Sequence, residues 1–358
     1  MSAFTNIRPK GTNGQAAPFL LNGKSLSLIS QHSEAPAKEG QPEKQTLAFY
    51  DAQLGRQLWI DQKEWGVEPA EIAASLRQDG VKLFELPLIW GDMRPCGTAW
   101  INPEAFLSII VSEASLKDGA KEESAAVLIN VAGYGRVESY DVPLRVIEDF
   151  MAQVRAVKPH LMHVTPKDAT SRWTKPGYVT FDKAAVSMIR PNGYDLDVIL
   201  GDVARIDFNL KDGKGGDLYN QKNEYANALI RRVYRRGLLT RETTTQDHLH
   251  DVFDRAEQHY RRRQSGLREK FAAAIAAGNP RLLKFEGAKA PNYVRREDIF
   301  AVSVHDDCVQ AHFRHAARHY DNDLAVHYAT PEKARIGARL LQDNLCGTGQ
   351  GPRQPNCS

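Results

Sequence analysis

Three sets of residues in this 358-residue chain combine side-chain types and spacings that could do chemistry. The largest is a run of arginines, Arg231-Arg232, Arg235-Arg236, Arg241 and Arg261-Arg262-Arg263, with Tyr234 and Tyr260 beside them. A guanidinium fork binds two phosphate oxygens at once, and each neutralised phosphate releases counterions. A row of arginines therefore gives affinity for nucleic acid whatever its sequence, and the tyrosines could stack on unpaired bases. The competing reading is a solvated helix face, its arginines paired with Glu224, Glu242, Asp251, Asp254 and Glu257 and both tyrosines in a core stripe. Charge placement favours the first reading. Between Arg231 and Arg296 there are 16 Lys and Arg against 7 Asp and Glu, a net +9, whereas the whole chain carries +3 and the remainder therefore −6. A positive stretch of this kind attracts polyanions, either nucleic acid or an acidic protein surface. No helix-turn-helix, zinc-finger or RNP signature accompanies it.

The second set is Cys308, His312, His315 and His319. If Asp307–Tyr320 is a helix, these fall at i, i+4, i+7 and i+11 on one narrow stripe, with Val309, Phe313, Ala316 and Tyr320 on the adjoining apolar stripe. Cysteine and histidine are ligands that zinc prefers, and i, i+4 pairs can chelate one ion. Positions eleven apart are separated by about 16 Å of helical rise, so one ion cannot take all four, and His305 or His327 would have to help. No H-E-x-x-H or C-x-x-C pair is present. A metal site is therefore not favoured here, and no cofactor is expected.

The third set is Asp195, Asp197, Asp202 and Asp207. Two carboxylates on one strand face could hold Mg²⁺ for phosphodiester cleavage. Asn209-Leu210-Lys211, however, places an amide where the E-x-K end of a restriction-like nuclease strand carries an acid. The bland reading puts the aspartates on a solvent-facing side and gives Val198, Ile199 and Leu200 to the core. Asp212-Gly213-Lys214-Gly215-Gly216 lacks phosphate-loop spacing, no G-x-S-x-G is present, and Cys96 has one neighbouring cation but no base.

The elements that must position these residues belong to an ordinary globular chain, with 42% hydrophobic and 25% charged residues. No apolar run approaches the ~18–20 residues of a membrane span, the N-terminus lacks a signal-peptide pattern, and the four cysteines stand far apart. These features point to a soluble, cytoplasmic protein with reduced thiols.

Residues 1–45 read as an N-terminal hairpin, with arms at Phe19–Leu21 and Leu26–Ile29 around an Asn22-Gly23 type I′ turn, and a polar linker from Gln31 to Gln45. Residues 46–165 read as a first α/β unit. Its strands are expected at 46–50, 57–60, 81–90, 106–111, 125–131 and 137–140. Its helices should start at Pro69, with Gly80 at C′, and at Pro143, with Val146, Ile147, Phe150 and Val154 on one face. Residues 166–237 read as a second unit of similar plan, and Ala184–Ile189 can be laid on Ala105–Ile110. This order of strands and helix resembles the small domain of FlbD-type flagellar regulators, and nothing about function follows from it.

Residues 238–345 read as a basic helical region that includes a long helix ended by Gly278 and Pro280, and residues 346–358 as a disordered tail. The expected fold class is therefore α+β, two small sheet-plus-helix units, read either as an internal duplication or as two unrelated sheets, followed by a helical C-terminal region. The expected function is a non-enzymatic binding protein that engages nucleic acid, or an acidic protein, through arginine-rich helices. The alternative is a metal-dependent hydrolase or nuclease built on the His/Cys stripe or the aspartate strand.

Overall fold

A computed structural model describes residues 4–7, 19–34, 44–52, 57–62, 66, 68–89, 95–116, 122–166, 169–171, 176–192, 195–201, 204–210, 228, 231, 246–285, 291–313, 323–328 and 330–346. Antiparallel β-sheet dominates it. The expectation of two sheet units followed by a helical C-terminal region is overturned: among the described residues there are four sheets of three to six strands and one two-stranded pair, and strands continue to residue 327.

One order of elements recurs four times along the chain: a strand pair, a kink, three strands and a helix, with one extra short strand before the kink in the third copy. The first copy is β1 (Phe4–Ile7), β2 (Phe19–Asn22), a turn at 23–25, β3 (Leu26–Glu34), β4 (Lys44–Asp51), β5 (Gln57–Asp61) and α1 (Pro69–Gln78). The second is β6 (Phe84–Ile89), β7 (Pro95–Ile101), a 3-10 turn at Pro103–Ala105, β8 (Phe106–Ser112), β9 (Ser124–Val131), β10 (Gly135–Pro143) and α2 (Leu144–Val157). In the third, β11 (Leu161–Val164), β12 (Ala169–Ser171) and β13 (Pro176–Asp182) lead to a 3-10 turn at Lys183–Ala185. β14 (Val186–Asn192), β15 (Asp195–Leu200) and β16 (Ala204–Leu210) follow, then helical residues Ala228 and Arg231 and the long helix α3 (Gln246–Ala276). The fourth is β17 (Leu282–Phe285), β18 (Asn292–Arg295), a 3-10 turn at Arg296–Asp298, β19 (Ile299–His305), β20 (Cys308–Phe313), β21 (Asp323–His327) and α4 (Pro331–Cys346).

The kink explains why the copies share one geometry. Its first residue is a short side chain whose Oδ1 accepts the backbone N–H two residues on: Asn22 from Lys24 at 3.2 Å, Asn102 from Glu104 at 3.0 Å, Asp182 from Ala184 at 2.9 Å. Such a bond turns the backbone locally without a partner strand. Three residues further, a carbonyl accepts an N–H from just beyond the second of the three strands: Ser25 from Ala52 at 2.7 Å, Ala105 from Ala132 at 2.9 Å, Ala185 from Gly201 at 2.8 Å. Apolar side chains then enter the core four and seven positions after the cap, at Leu26/Ile29, Phe106/Ile109, Val186/Ile189 and, partly, Ile299/Val302. The fourth copy has Arg295 at the cap position, with no side-chain cap bond. The structural alignment pairs Ala185 with Ala105. The alignment suggested by sequence, Ala184 on Ala105, is therefore one residue out of register, and such a slip exchanges the two faces of a strand.

Sheets are shared between successive copies. β3 pairs antiparallel with β7, β8 with β13, and β14 with β18. In each, the third residue of the first strand lies opposite the residue just before the cap: Leu28 with Ile101, Ser108 with Phe181, Met188 with Val294.

The chain divides into two compact units, one of Met1–His163, Trp173–Ala185 and Ile199–Arg205, the other of Val164–Arg172, Val186–Val198 and Ile206–Ser358. In the first unit the expected helices form. Pro69 starts α1, Ile72, Ala73 and Leu76 are buried, and Gly80 takes φ 88° just past the end. Gly80 N–H donates to Arg77 O at 3.0 Å and Val81 N–H to Leu76 O at 2.9 Å, the bond pair of a Schellman termination. α2 buries Ile147, Phe150, Met151 and Val154 against β6, β8 and their neighbours. β6 alternates buried Phe84, Leu86 and Leu88 with exposed Glu85 and Pro87, as an edge strand does. Ser139 of β10 joins this edge: its Oγ donates to Pro87 O at 2.7 Å and accepts Ile89 N–H at 3.1 Å. Asn130 Nδ2 donates to Ser108 Oγ at 2.8 Å, so both buried polar groups are satisfied. Ile110 and Phe150 are buried there, and Trp90, at the end of the strand expected over 81–90, lies outside the described residues.

The N-terminal hairpin is built differently from expectation. β2 pairs with β1, not with β3, which joins β4 and β7 instead. Gly23 has no positive φ, so the turn is not type I′. The polar segment is sheet at both ends, through Glu34 and again from Lys44, and its centre lies outside the described residues.

In the second unit, sheet order is β12-β16-β15-β14-β18-β17. β16 alternates buried Ala204, Ile206, Phe208 and Leu210 with half-buried residues. Phe271 of α3 meets Phe208 edge-on at 5.2 Å between ring centroids, and Ala272 and Ile275 are buried while Ala274 is exposed. The helix ends at the expected place, Gly278 and Asn279 donating to Ile275 and Ala276. Asn279 then uses its Nδ2 to hold Val186 O at 3.0 Å. α4 confirms the helix read from Pro331, and residues beyond Cys346 lie outside the described ones.

Candidate nucleic-acid interface

The arginine stretch falls partly on described structure. Arg231 is helical and exposed, while Arg232, Arg235, Arg236 and Arg241 lie outside the described residues. Arg261, Arg262 and Arg263 sit past the middle of α3, a 31-residue helix, and Arg262 is exposed. Seven residues before it, Arg255 is also exposed, so the two share one face about 10.5 Å apart along the helix. Arg255 Nη2 meets Asp251 Oδ2 at 2.7 Å across one turn. Both partners are largely in solvent, so the pair is worth a few tenths of a kcal/mol, about 0.3–0.5, and exchanges readily for another anion. Asp251, one of the acids named in the competing reading, therefore pairs with Arg255, an arginine outside the eight named there.

The histidine set does not form a stripe on a helix. Cys308–Phe313 is the middle strand of the three-stranded sheet β19-β20-β21. Asp306 (φ 44°) and Asp307 make a two-residue turn, and His305 and Cys308 flank it as partners. Val309 and Ala311 are buried while Cys308, Gln310 and His312 are half-buried, a period of two that the helical reading missed. Cys308 and His312 share a strand face, but four strand steps separate them by about 13 Å, too far for one ion. Cys308 instead stands opposite His305 on one side and His327 on the other. His312 Nε2 shares a hydrogen bond with Ser303 Oγ at 3.0 Å, and His327 Nδ1 lies 3.7 Å from Asp307 Oδ1. Burial, and then the Asp307 carboxylate, push the Cys308 thiol up, which leaves less thiolate at neutral pH. His315 and His319 lie outside the described residues, and among the described residues no three His, Cys, Asp or Glu side chains converge on one point.

The aspartates are not together on a solvent-facing side. Every residue from Leu196 to Leu200 is buried, because β15 lies inside its sheet and is covered on both faces. Asp197 is wholly buried and accepts from Arg190 Nε at 3.2 Å, so its charge is answered by a guanidinium from β14. Asp207 is half-buried on β16, on the pleat opposite the buried Ile206 and Phe208, and Asp202 lies outside the described residues. The Arg190–Asp197 pair had no signal in the sequence, since contacts seven apart belong to no single-element period. A second buried carboxylate, Asp182, is held by Lys158 Nζ at 3.1 Å and by its cap bond. Both act as fold elements.

Among the described residues no helix is long and apolar enough to cross a membrane. Comparison with protein-family models, curated protein sequences and solved structures gives no match to this chain. The likeness to FlbD-type regulators therefore gains no support.

Proposed function

We propose that this chain is a non-enzymatic binding protein whose stretch from Arg231 to Arg263 engages nucleic acid. The observation that carries the reading is the confinement of +9 to residues 231–296 of a chain that is otherwise −6. The exposure of Arg231, Arg255 and Arg262 on helical segments supports it, since cations held on a helix can follow a phosphate backbone without reading bases.

The test is to replace Arg231, Arg232, Arg235 and Arg236 by Gln, which keeps helix propensity and approximate length while removing four charges. Affinity for single- and double-stranded oligonucleotides should fall for all sequences alike. The slope of log affinity against log salt should shrink by up to about 3–4, near one per lost phosphate contact. Neutralising Lys117 and Lys121 should change little. An unchanged slope in the four-arginine variant would place the contact elsewhere.

A further inference from the structure

Two strand edges of the kind that the internal interfaces join have no partner strand among the described residues. The first strand after the kink in each of the first three copies is covered by the strand pair of the copy that follows, as β3 is by β7 and β6. In the fourth copy, among the described residues, β19 has β20 as its only neighbour, and the β1-β2 pair of the first copy adds to no sheet. The exposure of β19 agrees. Val304 is 40% exposed, whereas Val111, its counterpart in β8, is 1% exposed and pairs with Tyr178 of β13 as well as with Val127. An edge with unpaired N–H and C=O groups is a template for another strand.

We propose that β2 of one molecule pairs antiparallel with β19 of the next, so that the chain assembles head to tail with a second copy of itself. The occupant follows from continuity with the three internal interfaces, each of which seats the second strand of a following pair on the first strand of a preceding meander. Their common register, third residue opposite the residue before the cap, places Ala301 opposite Leu21 of the incoming copy. Leu21 is buried like its counterparts Ile101, Phe181 and Val294, so its side chain serves its own core while the backbone edge is left for pairing. The two edges differ, so the contact is heterologous and extends into chains or closes as a ring.

Because His305 and Cys308 close a two-residue turn, the alternation of an antiparallel ladder turns the N–H groups of Val304 and Val302 away from β20, toward the open edge, and the common register sets Val302 opposite Leu20 of the incoming β2. Val302→Pro removes the donor that faces Leu20 and leaves the β19–β20 ladder in place. Val304→Lys instead adds a charge at an exposed site and serves where the proline variant fails to fold by circular dichroism. In sedimentation equilibrium the weight-average mass of the wild type should rise with concentration beyond a dimer. Either folded variant should stay monomeric alone. Mixed equally with wild type, it should lower the wild-type mass, because it still offers β2 and so caps growing chains. A wild type that is monomeric throughout, folded variants that assemble like wild type, or variants that leave the wild-type mass unchanged in mixtures would each overturn the proposal. The last result would point to β19 pairing with β19.

Discussion

Replacing Arg190 by Met should destabilise the second unit by about 3–5 kcal/mol in denaturant unfolding. Arg190 Nε lies 3.2 Å from the Oδ2 of Asp197, and the Asp197 side chain is 0% exposed. Methionine matches much of the arginine's length and apolar contact but leaves a carboxylate in a fully covered strand without its countercharge. The penalty is that of an uncompensated buried charge, which exceeds what the intact pair adds to stability. The double variant Arg190→Met/Asp197→Leu should therefore recover most of the loss, since an apolar pair of similar volume has no charge to desolvate. A single variant that costs less than about 1 kcal/mol, or a double variant as unstable as the single, would mean that water reaches this pair.

Phe150→Ala should cost the first unit a similar amount, about 3–5 kcal/mol. Phe150 is 1% exposed and fills the space between α2 and the sheets. Its ring lies 5.0 Å from that of Phe84 on β6 and 5.9 Å, edge-on, from that of Phe106 on β8. Alanine removes the ring and both aromatic contacts and leaves a cavity bounded by three elements that cannot collapse together. Guanidinium unfolding followed by tryptophan fluorescence measures it, and a loss below about 1 kcal/mol would contradict the facing assigned to α2.

The second of these sites shows where the sequence was readable, and the first where it was not. The facing of α2 follows from Ile147, Phe150 and Val154 at helical spacing, and α1 from Pro69 at its start and Gly80 past its end, because these signals are local. The strand Cys308–Phe313 was misread because its pleat alternation covers six residues, too few to outweigh Ala316 and Tyr320, which extend an apparent helical stripe past its end. The fourfold plan was legible in principle. Asn22, Asn102 and Asp182 stand 80 residues apart, each followed at four and seven positions by core residues, yet so few identical residues let the alignment slip by one. The pairing of β3 with β7 depends on a contact between copies that no local pattern encodes. Of the candidate interface, only the charge placement was legible. Whether paired arginines are solvated or meet acids depends on which helix face each occupies, and the single described pair, Arg255 with Asp251, shows both conditions together.

The central claim is nucleic-acid binding by the basic stretch, and the most direct measurement is the affinity of the intact wild-type chain for labelled DNA and RNA oligonucleotides across a salt series. The account predicts binding at low salt to oligonucleotides of unrelated sequence. Log affinity should fall linearly with log salt, at about 0.7–0.9 per phosphate neutralised. Absence of binding to both DNA and RNA at low salt would contradict it, and the +9 stretch would then have to serve an acidic protein surface instead.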